Sequence, residues 1–365
     1  MTALSPIHPY LGSLQALANH AASNGRAYVE PALKNLGAIA IPIVREVISP
    51  ASFRNTDPEV TDITVEDGVG KKVRRVRAVA NKFKYGERRR GLQVLRHFGA
   101  GGAMALNRTE FQDTDPASKG YDLNTLVFGD SANRGKYVLP VKAGVQYSDA
   151  ISLAPYSSCV DETFHNRAAE DGSLWDAAEG KNSVNLFSRH YVVPGTLLLQ
   201  VLTINGRTLP PEALEHALLC IGLAGAYGGQ TSIYGVNVRN HVVGVFAARM
   251  ERAIASPYEA VRQLPTPAPT NAAEAVAALE AAYAAAYPIH LGAAAATGLV
   301  TGLVGAVEAE DASLRARYRS VHGQVGAFFD AWFAMSGSGA TRGKAAKGKS
   351  VAVADGSTDL LADAG

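Results

Sequence analysis

The chain has 365 residues, 47% hydrophobic and 19% charged, enough to bury a large core without a disulfide or metal staple. Its only cysteines, Cys159 and Cys220, exclude a disulfide framework and a four-cysteine zinc site, and they suit a reducing, cytoplasmic compartment. The net charge of +2 hides a strong asymmetry, because the segment Lys71 to Arg96 holds eleven of the 35 basic residues and only one of the 33 acids, Glu87. One cationic feature on a mildly acidic body points to a polyanionic partner.

In chain order, the start MTALSPIHPY lacks the basic-then-apolar pattern of a secretory signal, and residues 1–37 are expected to be largely helical. AIAIPIVREVI (38–48) is rich in β-branched residues and predicts a strand, with Pro42 hinting at an edge or a bulge. After a polar loop, two strand-like runs flank Asp67-Gly68 and predict a hairpin over 60–80 whose second arm opens the basic segment. From Gly86 to Phe98 the period becomes helical, with Gly91, Val94, Leu95 and Phe98 on one face and Arg89, Gln93 and Arg96 on the other. Asp122 caps a short helix, DLNTLVF, that Gly129 ends.

A strand is expected over 137–153, followed by an irregular insertion over 155–187. GTLLLQVLTI (195–204) is a strongly apolar strand, Asn205-Gly206 a turn, and Pro210-Pro211-Glu212 the opening of a helix to about Leu223. A glycine-rich loop, GAYGGQTSIYG (225–235), leads to a last strand over 236–247. Without the insertions the order is strand, helix, strand, strand, helix, strand: an α+β, ferredoxin-like core over 38–250, the arrangement shared by RNA-recognition motifs. The region 251–335 is alanine-rich and predicts helices at 272–286 and 312–335. The uncharged stretch 289–307 is too weakly apolar for a membrane span and reads as buried helix or loop. The tail 336–365 has the composition of a disordered segment.

Closely spaced Lys and Arg neutralise a polyphosphate chain with release of counterions, so the basic segment is the first candidate for a nucleic-acid contact. Phe83 and Tyr85, between Lys82 and Lys84, have the chemistry to stack on bases, although such aromatics more often sit in a core. The glycine-rich loop offers close backbone approach and amide donors to a phosphate, or is simply a tight turn. No GxxxxGK[ST], HExxH or GxSxG pattern is present and no cofactor is implied. Cys159, His165 and His190 have weak zinc spacing, so no metal site is assigned. Asp57 is the one carboxylate in a loop position suited to catalysis, and by default it is the turn residue of Asp57-Pro58. A free-standing enzyme acting on a phosphorylated metabolite is a further reading of the basic segment.

FRNTDPEVTDITV, RRVRAVANKFKYGERRRGLQVLR, NRTEFQDTDPASKGYDLNTLVFGDS, CVDETFHNR and GLAGAYGGQTSIYGVNVR together resemble the backbone subunit of the type I-D CRISPR effector complex, within the RAMP superfamily. The resemblance implies a non-catalytic, antiviral guide-RNA (crRNA) binder. Its copies would stack head to tail along the guide beside other effector subunits and meet target DNA or RNA only through the guide. It implies RNA contacts from the loop after the first strand (Arg54, Asn55), from Lys82, Lys84, Arg88, Arg89, Arg90 and Arg96, and from Gly225, Tyr227, Gly228, Gly229, Gln230 and Ser232. The hairpin, with Lys71, Lys72, Arg74, Arg75 and Arg77, would be the projecting thumb. The runner-up, by likeness to the type III subunit, is a metal-dependent ribonuclease that cuts target RNA with Asp57.

Overall fold

The structure is a computed structural model that describes residues 3–13, 36–53, 60–102, 115–130, 142–166, 175–176, 180–182 and 186–338. Its elements are β1 (Ala38–Val47), β2 (Asp62–Glu66), β3 (Lys72–Ala78), α1 (Asn81–Phe98), α2 (Leu123–Phe128), β4 (Gln146–Tyr147), β5 (Ala150–Ser152), α3 (Tyr156–Cys159) and β6 (Val160–Asn166). There follow β7 (Trp175–Asp176), β8 (Lys181–Asn182), β9 (Leu186–Val192), β10 (Leu197–Asn205), α4 (Pro211–Leu223), α5 (Thr231–Tyr234), β11 (Val238–Val242) and β12 (Gly244–Ala248). The chain continues through α6 (Pro257–Arg262), α7 (Ala272–Ala286), β13 (Ile289–Gly292), α8 (Ala293–Glu308) and α9 (Ala312–Ser338).

The main sheet is ordered β13-β12-β1-β10-β5-β3-β2, with β11 also on β1 and β4 also on β10. Its core, β12-β1-β10-β5, has the strand order of a split βαβ fold, with every neighbour antiparallel. β1 is central and covered on both faces, which is why it reads as an almost unbroken apolar run. Pro42 is therefore not on an edge. It sits where the partner changes from β12 to β11 with a one-residue shift in register, a bulge at which a missing N–H breaks no ladder bond.

Residues alternate between the two faces of β1. Ile39, Ile41 and Ile43 share one core with residues of α1, α2, α4, α8 and α9, whereas Ala40 and Val44 belong to a second core with Ala275, Leu279 and Tyr283 of α7. The alanine-rich region thus closes the sheet face that an RNA-recognition motif leaves open for bases. α2 has the expected cap, a reciprocal box in which the Asp122 side chain accepts from Thr125 N at 3.0 Å.

Several expectations need correction. α1 begins at Asn81 rather than Gly86, because burial of Phe83 and Glu87 carries the helix back through a stretch that alternates like a strand. The long strand expected over 137–153 is only β4 and β5 among the described residues. The described residues of the 155–187 insertion are largely regular: β6 and β9 pair over their whole length as a two-stranded ribbon. The stretch 289–307 is β13 plus a half-exposed α8, in which only Ala296 and Leu303 are buried. No described helix is long and apolar enough to cross a membrane. Residues 14–35, expected to be helical, and 339–365, expected to be disordered, lie outside the described residues, while 336–338 continue α9.

Candidate nucleic-acid interface

Three segments meet at the exit of β1. Gly229 N donates to Ser52 O at 2.8 Å, and Gly228 N donates to Lys82 O at 3.4 Å, joining the glycine-rich loop to the β1 exit and to the first turn of α1. Gly228 has φ +78°, and a Cβ there would lie well inside contact distance of Ser52 O, so only glycine fits. Beneath the loop, the Phe53, Phe83 and Tyr227 rings stand in series, 5.2 and 5.3 Å apart. Asn237 holds the loop from behind, accepting from Tyr227 N and donating to Tyr227 O, each at 2.9 Å. One residue upstream of Ser52, Ala51 exchanges backbone hydrogen bonds with Val192, which roots the β6-β9 ribbon at the same place.

Under this junction lies a fully buried ion pair. Arg45 Nη1 of β1 is 2.7 Å from Glu87 Oε1 of α1. Nη1 also donates to Asn240 Oδ1 of β11 at 2.8 Å, while Nη2 and Nε donate to Gln200 Oε1 of β10 at 2.7 and 3.1 Å. Glu87 also accepts from Tyr147 OH and, at 3.0 Å, from Tyr227 OH. The guanidinium carbon stands 5.0 Å from the Phe83 ring centroid and 5.4 Å from that of Tyr227. Burial, the largest single influence, would lower the Arg45 pKa, but Glu87 together with Tyr227 and Tyr147 outweighs it and the pKa is raised. Burial, and then Glu87, push both tyrosines well above the ordinary phenol value, so they stay protonated and donate.

The cations expected at the interface divide into two groups. Arg74 pairs with Asp62 at 2.7 Å, Arg77 with Asp149 at 2.6 Å and Arg88 with Asp130 at 3.1 Å. Arg75 is buried against the carbonyls of Ser152 and Leu153, and burial lowers its pKa. Acids elsewhere in the sequence therefore neutralise three cations of a segment that looked unpaired. Lys71, Lys72, Arg89, Arg90 and Arg96 are exposed, and Lys82 and Lys84 half-buried. Lys84 has its pKa lowered by desolvation and then by Arg88. Arg88, Arg89 and Arg90 lie in the middle of α1 rather than at its start.

Of the glycine-rich loop, Gly229 and Ser232 are exposed, Gly225, Gly228 and Gln230 half-buried, and Tyr227 only 1% exposed. The Tyr227 side chain is a core hydrogen-bonding group and not a surface contact. Phe83 is likewise core, while Tyr85 is 71% exposed. The 60–80 hairpin is not a free projection, since Gly68 at its tip packs against Arg262 O and β3 joins the main sheet. Among the described residues, the ribbon pairs only with itself apart from its root at Ala51. Arg54, Asn55 and Asp57 lie outside the described residues. Among the described residues no group of three His, Cys, Asp or Glu side chains is placed to hold a metal ion.

Sequence reasoning missed Arg45, Tyr147, Gln200 and Asn240. The available signal was a charge, Arg45, directly after the unbroken apolar run Ala38 to Val44 of β1, and a single acid, Glu87, in the basic segment.

Strand order and helices define an α+β protein of the ferredoxin-like class. The chain belongs to the Csc2 CRISPR family, whose model ("Csc2 Crispr") matches residues 31–277, about two thirds of the sequence. No curated protein matches it. Among solved structures it is similar to the crystal structure of Thermofilum pendens Csc2, at a TM-score of 0.57 and 15% identity over 94% of this chain and 99% of that one. It is also similar to a chain of a CRISPR RNA-guided surveillance complex (TM-score 0.41, 13% identity, 66% of this chain and 80% of that one). A chain of a pre-nicking surveillance complex matches at a TM-score of 0.37 and 12% identity, over 59% of this chain and 77% of that one.

Proposed function

We propose that this protein is the guide-RNA-binding backbone subunit of a type I-D CRISPR effector complex and is not itself a nuclease. The observation that carries the reading is the meeting of the β1 exit, the glycine-rich loop and the cationic surface of α1 at one junction. α1 has one acid, Glu87, and it is buried, so the helix sets no exposed carboxylate against Lys82, Lys84, Arg89, Arg90 and Arg96. Amides and small side chains at Gly228, Gly229 and Ser232 let a phosphate backbone approach closely. With α7 over the sheet, bases are not read on the strands but left to pair with target DNA or RNA, as guide-directed recognition requires.

The ribbon, rather than the hairpin, takes the role of the projecting element between successive copies, because it is self-paired and rooted beside the junction. Copies stacked head to tail use a heterologous interface, with other effector subunits ending the row. Lys71 and Lys72 remain as outlying phosphate contacts.

Binding of single-stranded RNA of varied sequence across a salt series tests this reading. Sequence-tolerant binding should weaken steeply with salt. Arg89→Ala/Arg90→Ala should flatten the log–log slope by about 1.4, because each neutralised phosphate of a single strand contributes about 0.7. Equal slopes for the variant and the parent would move the interface off α1. Metal-dependent cutting of complementary RNA that Asp57→Ala abolishes would overturn the non-catalytic reading.

A further inference from the structure

A buried ion pair is weak evidence for stability, since well-packed apolar residues of similar volume often do as well or better. The Arg45–Glu87 pair joins β1 to α1, and its hydrogen bonds extend to β10, β11 and the glycine-rich loop. What these groups share is direction. Tyr227 OH receives from Arg45 Nη1 at 3.2 Å and from Asn240 Nδ2 at 2.9 Å while donating to Glu87, so one loop side chain is held from three elements. An apolar contact would bury Tyr227 equally well without fixing its height or rotation.

The backbone immediately after Tyr227 is the part that faces outward. Gly228 and Gly229 follow it, attached to Ser52 and Lys82 by single hydrogen bonds, and Gln230 then adopts a left-handed φ of +58°. Ala226 and Tyr227 also pack against Gly86, where a Cβ would come within 3.2 Å of the Tyr227 ring. The loop's place relative to the α1 cations is therefore set at Tyr227.

We infer that Arg45, Glu87 and Tyr227 are positioning residues that hold the glycine-rich loop in register with the cationic face of α1, so that both reach one RNA backbone at once. None of the three meets RNA. They act by keeping the loop in the binding geometry before RNA arrives, which removes an ordering cost from the binding step. This inference rests on the RNA-binding reading of the junction.

The test uses the full chain with Arg45→Met/Glu87→Leu, which removes one charge of each sign and leaves net charge unchanged, together with Tyr227→Phe, which removes only the hydroxyl. If the freed loop occupies the binding geometry about a tenth of the time, RNA affinity falls about tenfold. The salt slope should stay that of the parent, because every phosphate-facing cation is still in place. A merely structural role would lower thermal stability without this combination. Hydrogen exchange supplies a readout independent of RNA: amides at 226–232 should lose protection in both variants while those of β1 and β10 keep it. A folded double variant that binds RNA like the parent and retains loop protection would overturn the inference. If the parent itself fails to bind RNA, the reading of the junction falls, and the exchange data alone then decide whether these residues position the loop. Should the double variant not fold, Tyr227→Phe decides on the same two readouts.

Discussion

At the scale of single residues, the junction depends on positions where one atom too many or one charge too few is decisive. Gly228→Ala places a Cβ against Ser52 O at a positive φ, and should lower unfolding free energy by about 1–3 kcal/mol in urea denaturation. Gly302, in α8, is the contrast. Nothing lies within 4 Å of its would-be Cβ, so Gly302→Ala should raise stability by roughly 0.5–1 kcal/mol. Glu87→Ala alone leaves Arg45 buried without its carboxylate and should cost about 3–5 kcal/mol, far more than removing both charges together.

His216 supplies a pH dependence. Its imidazole is buried between Asn124 Oδ1 at 3.1 Å and Tyr318 OH at 3.0 Å, and desolvation lowers its pKa from 6.5 to about 3. Its folded pKa lies below its unfolded one, so above pH 6.5 both states are neutral at this site. As pH falls from there toward 3, only the unfolded chain takes up the proton. Stability drops by about 1.4 kcal/mol per pH unit in that window, and His216→Gln should flatten that part of a denaturation–pH profile.

At the scale of elements, the sequence was most legible where a period of 3.6 or a terminal signal was undisturbed. The expected helix at 272–286 coincides with α7, and the strand at 195–204 lies within two residues of β10. It was least legible where tertiary burial decides. KFKY alternates like a strand, yet it is helix because Phe83 fits between Phe53 and Tyr227. The insertion from 155 lacks an apolar face because β6 and β9 pair with each other away from the core, leaving little hydrophobic signal to read.

The ribbon's independence makes a prediction at this scale. Val160 and Val192 are paired partners, so a short glycine-containing turn can replace 161–191. The shortened chain should keep its far-ultraviolet circular dichroism per residue and melt within a few degrees of the parent. A large loss of stability would show the ribbon to be part of the core.

At the scale of the whole molecule, charge segregation and strand order act together. The basic segment and the glycine-rich loop are more than a hundred residues apart in sequence, and the sheet order β12-β1-β10-β5 brings them to one end of β1. By itself the sequence determined the α+β class, the split βαβ element order, the alanine-rich helices and the concentration of cations, because periodicity, turn residues and composition are local. Only the tertiary structure decided which cations are neutralised, since the acids that pair with Arg74, Arg77 and Arg88 are Asp62, Asp149 and Asp130, twelve to 72 residues away. It also decided that Tyr227 is core, that α7 closes the sheet face, and that β6 and β9 pair as a ribbon. Each of these depends on which segments pack together, and burial and ion pairing are properties of that packing rather than of neighbouring letters.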